Sequence, residues 1–109
     1  MANTFKLKTK ANVGVTTVGI YTAPAATTTV VIGITLANTS GSGVNVGVGV
    51  TRAGTTEDVK LLKNAPIPSG SSLEFMAGNK IVLEATDTLT VDSDINNSVD
   101  AALTIMEIT

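Results

Sequence analysis

The side chains with chemical reach are four carboxylates close in sequence, Asp87, Asp92, Asp94 and Asp100, and three alternating lysines, Lys6, Lys8 and Lys10. A carboxylate pair does acid–base work only when its surroundings split the two pKa values, one group buried and the other solvated. These aspartates sit near turn-forming residues, and nothing in the sequence separates their environments, so they read as solvated turn carboxylates. Asp92-Ser93-Asp94-Ile95-Asn96 opens like a calcium loop, with oxygen donors at alternate positions. The pattern then fails, because Asn97 stands where the sharp turn needs Gly and Leu103 where the bidentate Glu belongs. Ser40-Gly41-Ser42-Gly43 is no phosphate loop either, since it lacks the lysine and leads into a strand. The chain has no His, Cys or Trp. Zinc sites of Cys and His, thiol nucleophiles and Ser-His-Asp triads are therefore excluded. No catalytic residue, metal site or cofactor is expected, and the chain is not expected to be an enzyme.

The lysines occupy one face of an alternating segment, a stripe roughly 14 Å long at strand spacing. Lysines on an edge strand discourage further strand pairing, and that is the first reading. Docking onto an acidic partner is the second. Net charge is −2 with a pI near 4.8. A chain of that sign has no global field for a phosphate backbone, so nucleic acid is not an expected partner. No apolar run approaches the length of a membrane span, and Met1 to Val15 contains no continuous apolar segment of the signal-peptide kind. Neither a membrane nor a signal peptide is expected.

Alternating β-branched residues dominate the rest. Thr27 to Leu36 places Val30, Ile32, Ile34 and Leu36 on one face, with Thr29, Val31, Gly33 and Thr35 on the other. Val44 to Thr51 sets four valines against Asn45, Gly47 and Gly49, as a half-buried strand requires. The turn-rich stretch Asn38 to Gly43 between them predicts a hairpin. Gly47 and Gly49 are either tolerated small residues or positions that admit a second backbone or chain. Further strands are expected at residues 5–10, 18–22, 57–62, 71–75, 80–83, 86–92 and 98–108. Thr55 and Asp58 have capping-box spacing, but Pro66 and Pro68 follow closely, so a strand is preferred there. In the last strand Val99, Ala101, Leu103 and Ile105 share a face that Glu107 would join. A bulge near Ile105 would repair this, or the strand end is buried on both faces.

About eight short strands without a substantial helix predict an all-β fold, a single antiparallel β-sandwich or jelly-roll-like module. An immunoglobulin-like order competes, without its Cys and Trp hallmarks. Residues 1–4 are expected to be flexible, and 5–109 to form one domain. At 109 residues and 11.0 kDa, the folded chain should expose roughly 5,600 Å².

Several segments resemble the small virion structural proteins of tailed bacteriophages: Tyr21 to Thr29, Ala37 to Ser42, Asn64 to Leu73, Lys80 to Ala85 and Ser98 to Asp100. The likeness spans nearly the whole chain but rests on strand and turn patterns, and it departs at Thr55 to Asp58, where a more hydrophobic strand would be expected. It implies a β-sandwich located on the virion: a capsid decoration or cement protein, or a neck or tail accessory protein. The implied partners are other virion proteins, foremost the major capsid protein, and further copies of the chain. It transfers no active-site residue. The candidate interface residues are Lys6, Lys8, Lys10, Gly47 and Gly49. A carbohydrate-binding adhesion module is an alternative weakened by the scarcity of aromatics, since Phe5 and Phe75 are expected in the core.

Overall fold

The computed structural model describes residues 3–54, 57–75 and 80–109. Met1, Ala2, Thr55, Thr56 and residues 76–79 lie outside the described residues, as does the side chain of Phe75. Thr55 of the capping-box reading is among them. Nine strands follow in order: β1 (Asn3–Val13), β2 (Val18–Thr22), β3 (Thr28–Asn38), β4 (Val44–Arg52), β5 (Glu57–Ile67), β6 (Ser72–Phe75), β7 (Ile81–Leu83), β8 (Thr88–Ser93) and β9 (Val99–Ile108). Asn3 and Thr4, expected to be flexible, open β1 opposite Ile108 and Glu107. One sheet has the order β1-β9-β3-β6, with β7 also on β3; the other runs β2-β8-β4-β5. Every pairing is antiparallel.

The connectivity is that of one long hairpin with its tip between β4 and β5. Outgoing β1, β2, β3 and β4 pair with returning β9, β8, β6–β7 and β5. Wrapping this hairpin around itself brings β9 beside β3 and β8 beside β4, which gives a jelly roll of two packed sheets. The expected β3–β4 hairpin is not formed. β3 and β4 lie in different sheets, and residues 39–43 cross between them. Asn38 organises the crossing from a buried position: its amide donates to the carbonyls of Ser42 and Ile67, and its Oδ1 accepts from the Ser40 amide and hydroxyl. Turn-forming residues serve a crossover as well as a hairpin, so composition does not separate the two.

The core lies between the sheets, filled by Val44, Val46, Val48 and Val50 of β4, Leu89 and Val91 of β8, and the inward residues of β3 and β9. The face assigned to β3 holds for only half the strand. Thr29 and Val31 point inward, and so do Ile34, Leu36 and Asn38. A register shift between Val31 and Gly33 leaves Ile32 as an extra residue, and the inward phase changes there. β9 carries no such shift: Val99, Ala101, Leu103, Ile105 and Glu107 are all buried in one unbroken alternation. The irregularity anticipated near Ile105 thus sits across the ladder, in β3. Exposed area totals 5750 Å², matching the size expectation.

The sheet edges are irregular or charged. β5 carries two register shifts against β4, with Asn64 in the left-handed region at φ 56°. It also carries Pro66 and the charged residues Glu57, Asp58, Lys60 and Lys63. β2 shifts between Gly19 and Tyr21, and the edge beside β3 is split between two short strands. None offers a long flat template for another chain.

Candidate interaction face

Residues directly opposite in an antiparallel ladder share a face. Lys6, Lys8 and Lys10 face Ile105, Leu103 and Ala101. The stripe therefore lies on the core side of edge strand β1, the inward-pointing placement that blocks edge pairing. Lys6 Nζ pairs with Glu107 Oε1 at 2.9 Å. Glu107 reaches across the sandwich from β9 to β2, where Tyr21 Oη donates to its Oε2 at 2.6 Å, and the same hydroxyl lies 2.8 Å from Thr29 Oγ1. The Glu107 side chain is only 9% exposed. Hydrogen bonds from Tyr21 and Lys6 hold its pKa below the ordinary carboxylate range. Burial, with the same Glu107 bond, pushes the Tyr21 phenol up to about 12. Each polar atom of this cluster has a partner, so it closes the sandwich rather than presenting a reactive group. Sequence reading missed it, although the unbroken alternation ending on Glu107 was the available signal.

Gly47 and Gly49 lie under this chain's own atoms. A Cβ on Gly49 would stand 2.8 Å from the Val59 carbonyl oxygen, and one on Gly47 would stand 2.6 Å from Asp92 Oδ1 and 3.3 Å from the Leu62 carbonyl oxygen. The close approach that glycine permits here is made by β5. Both are buried and offer no surface to a second chain.

The four aspartates each fasten a connection. Asp100 accepts from the Asn12 amide at the bulge where Asn12 adopts φ 59°. Asp92 accepts from Thr17 Oγ1, and Asp94 from the Asn45 amide. Asp87, read as solvated, is 3% exposed. It accepts from the Glu84 amide, and its Oδ2 lies 3.0 Å from Arg52 Nε. Among the described residues no group of three or more acidic side chains could hold a metal ion.

The outer faces of the two sheets differ. That of β2-β8-β4-β5 is polar and bonded to itself, with Thr22 to Thr88, Thr51 to Asp58 and Thr17 to Asp92. That of β1-β9-β3-β7 carries an apolar row. Phe5 stands opposite Met106, Met106 opposite Val30, and Val30 opposite Val82. Phe5 is 69% exposed, Leu7 66% and Val82 56%. The placement of Phe5 corrects its expected core position: among the described side chains the buried aromatic is Tyr21. Pairing with Met106 puts Phe5 on the outward phase of β1, while the inward phase went to lysine. A row of large apolar side chains across four strands, exposed at Phe5 and Val82 and half-buried at Met106 and Val30, is the feature of this surface that calls for a partner.

No protein-family model matches the chain, and no curated protein does. Its fold is shared with solved structures. A chain of the Bacillus endospore appendages, described as a family of disulfide-linked pili, aligns with TM-score 0.57 at 16% identity, covering 99% of this chain and 87% of that one. A chain of the T13 IBDV viral particle aligns with TM-score 0.61 at 12% identity, covering 96% of this chain and 30% of that one. A chain of the infectious bursal disease virus Gx strain aligns with TM-score 0.53 at 12% identity, over 97% and 33%. This chain thus spans about a third of each of these two viral chains. At these identities the likeness is one of fold.

Proposed function

We propose that this chain is a non-enzymatic structural protein of a virion, a capsid decoration or cement protein of a tailed phage that binds the major capsid protein lattice in many copies. The observation that carries this reading is the uncharged row Phe5–Met106–Val30–Val82 on one outer face. The opposite face and the edges give little for a partner to hold. A compact jelly roll of 45 × 27 × 22 Å with one adhesive face suits a repeating surface, where later contacts become intramolecular and weak ones add up. The resemblance to phage virion proteins supports the reading, and so does a fold found in viral particles.

A smaller exposed apolar spot lies at the loop end away from the chain termini. There residues 14–17 and 94–98 lie together, tied by the Ser93 amide to the Gly14 carbonyl, and expose Val15 and Ile95. Location at the neck or tail is the second reading within the same class. The size-matched pilus chain favours a subunit of a ring or fibre as much as of a shell. With no Cys in this chain, such an assembly would be held without disulfides. An adhesion module is less favoured, because aromatic residues are scarce and Tyr21 is buried.

Quantitative mass spectrometry of intact particles tests the proposal. A decoration protein is present at a copy number comparable to the capsid protein, and a neck or tail component at that of a small ring. Absence from the particle refutes both.

A further inference from the structure

The outer face of β1-β9-β3-β7 has relief as well as apolarity. Its apolar row, with Leu7 beside it, stands at the end near the chain termini. Four residues further along β1, about 13 Å at strand rise, the same face sinks into an open depression of about 300 Å³ whose lining includes Thr9, Thr35, Ala37 and Ala102 together with the charged Lys10 and Asp100. Midway lies the row Leu7–Thr104–Gly33, and the space over Gly33 is empty.

We infer that this face pairs with the same face of a second copy, around a two-fold axis lying in the interface along the Leu7–Thr104–Gly33 row. Such an axis exchanges the two ends of each strand. Phe5 of one copy then stands over Thr9 of the other, Met106 over Ala102 and Val30 over Thr35, so the ridge of each copy enters the depression of the other and the contact is made twice in the dimer. A self-pairing surface must complement itself, and a ridge and a recess equidistant from one line meet that condition.

Charge points to the same occupant. An isologous contact sets like against like near its axis, and the outward positions of β1, β9, β3 and β7 from the apolar row to the Thr104 row carry no charge. Of the charges around this stretch, Lys80 lies exposed just before β7, and Asp100 and Glu74 lie toward the far end. The face measures roughly 35 Å by 19 Å, about 650 Å² in projection. That is close to the ~800 Å² per partner of a standard stable interface. The edges, bulged or charged, leave face packing as the route.

The inference rests on the proposed function in taking the chain to be an assembly subunit, but its test is separate. Sedimentation velocity of the purified chain, from micromolar to sub-millimolar concentration, reports a dimer. Phe5→Glu and Thr9→Arg each weaken that dimer by about tenfold or more. Both positions are exposed on edge strand β1, so thermal unfolding of the variant monomers confirms that they still fold. Mixing the two variants restores a heterodimer, because one ridge–recess contact stays native and the other sets the new carboxylate against the new guanidinium. Since the chain has no Cys, Thr104→Cys supplies a single thiol, which a short bismaleimide links to its twin. A wild-type chain that stays monomeric, or single variants that dimerise as the wild type does, overturns the inference. A monomer that still coats particles through Phe5 assigns the face to a capsid protein, overturning self-pairing while the proposed function stands. A dimer disrupted as described but absent from particles supports the pairing and counts against the function.

Discussion

Tyr21 Oη donates to Glu107 Oε2 at 2.6 Å, joining β2 of one sheet to β9 of the other across 86 positions of sequence. Lys6 closes the same carboxylate from edge strand β1. The jelly roll is thereby fastened at the edge where β1 and β2 meet by a bonded polar cluster, beside a core that is mostly aliphatic.

Tyr21 is the only tyrosine, and there is no tryptophan, so ultraviolet difference absorbance follows one group. The phenol should ionise near 12 in the folded chain and near 10.0 when unfolded. Its raised pKa contributes stability that is complete below about 10 and is lost as pH rises through about 12. Tyr21→Phe should remove this alkaline loss and lower stability at neutral pH by about 1–3 kcal/mol, since Thr29 and Glu107 each lose a buried partner. Chemical denaturation measured across that pH range checks both.

At the acid end the sign reverses. The folded pKa of Glu107 lies below its ordinary value of 4.5. Its contribution is therefore complete above about 4.5 and is lost as pH falls through the lower folded value. Glu107→Gln should flatten the dependence of the unfolding midpoint on pH in that range while lowering the midpoint at pH 7. An acid limb as steep as the wild type's would assign the dependence to other carboxylates.

The glycines of the two sheets should respond differently to alanine. Gly49→Ala drives a Cβ against the Val59 carbonyl oxygen and should cost about 1–3 kcal/mol by overpacking. Gly47→Ala meets first the movable Asp92 side chain and should cost less. Gly33→Ala meets nothing within 4 Å and should leave monomer stability unchanged or slightly raised. Thermal unfolding of the three variants gives the order.

Lys8 and Lys10, on the core side of β1, should matter for solubility more than for stability. Replacing both with valine removes two inward charges from the edge. Light scattering should then show the double variant growing with concentration into assemblies larger than a dimer, with the wild type stopping short of them.

The strands were legible because alternation of Val, Ile and Thr against polar residues marks them directly, and all nine segments read from sequence carry a strand. Facing was less legible. A single extra residue, Ile32, reverses the phase of β3, and nothing in Val30-Val31-Ile32-Gly33-Ile34 distinguishes the inserted position, because both phases are apolar there. The β3–β4 connection was misread because Asn38 and its serines would suit a tight turn equally well. On the interaction face, the lysines drew attention by their charge and the glycines by their spacing. Their outward neighbour Phe5 read as a core residue because large apolar side chains usually are. Only the pairing of Phe5 with Met106 and the burial of Glu107 reveal that β1 points its charges inward and its apolar residues out.

The most direct test of the account is a cryo-EM reconstruction of the particle that carries this chain. The account predicts jelly-roll density repeated over the lattice, with the Phe5–Met106–Val30–Val82 row enclosed by protein in every copy. Particles that lack the density, or copies in which that row faces solvent, would contradict it.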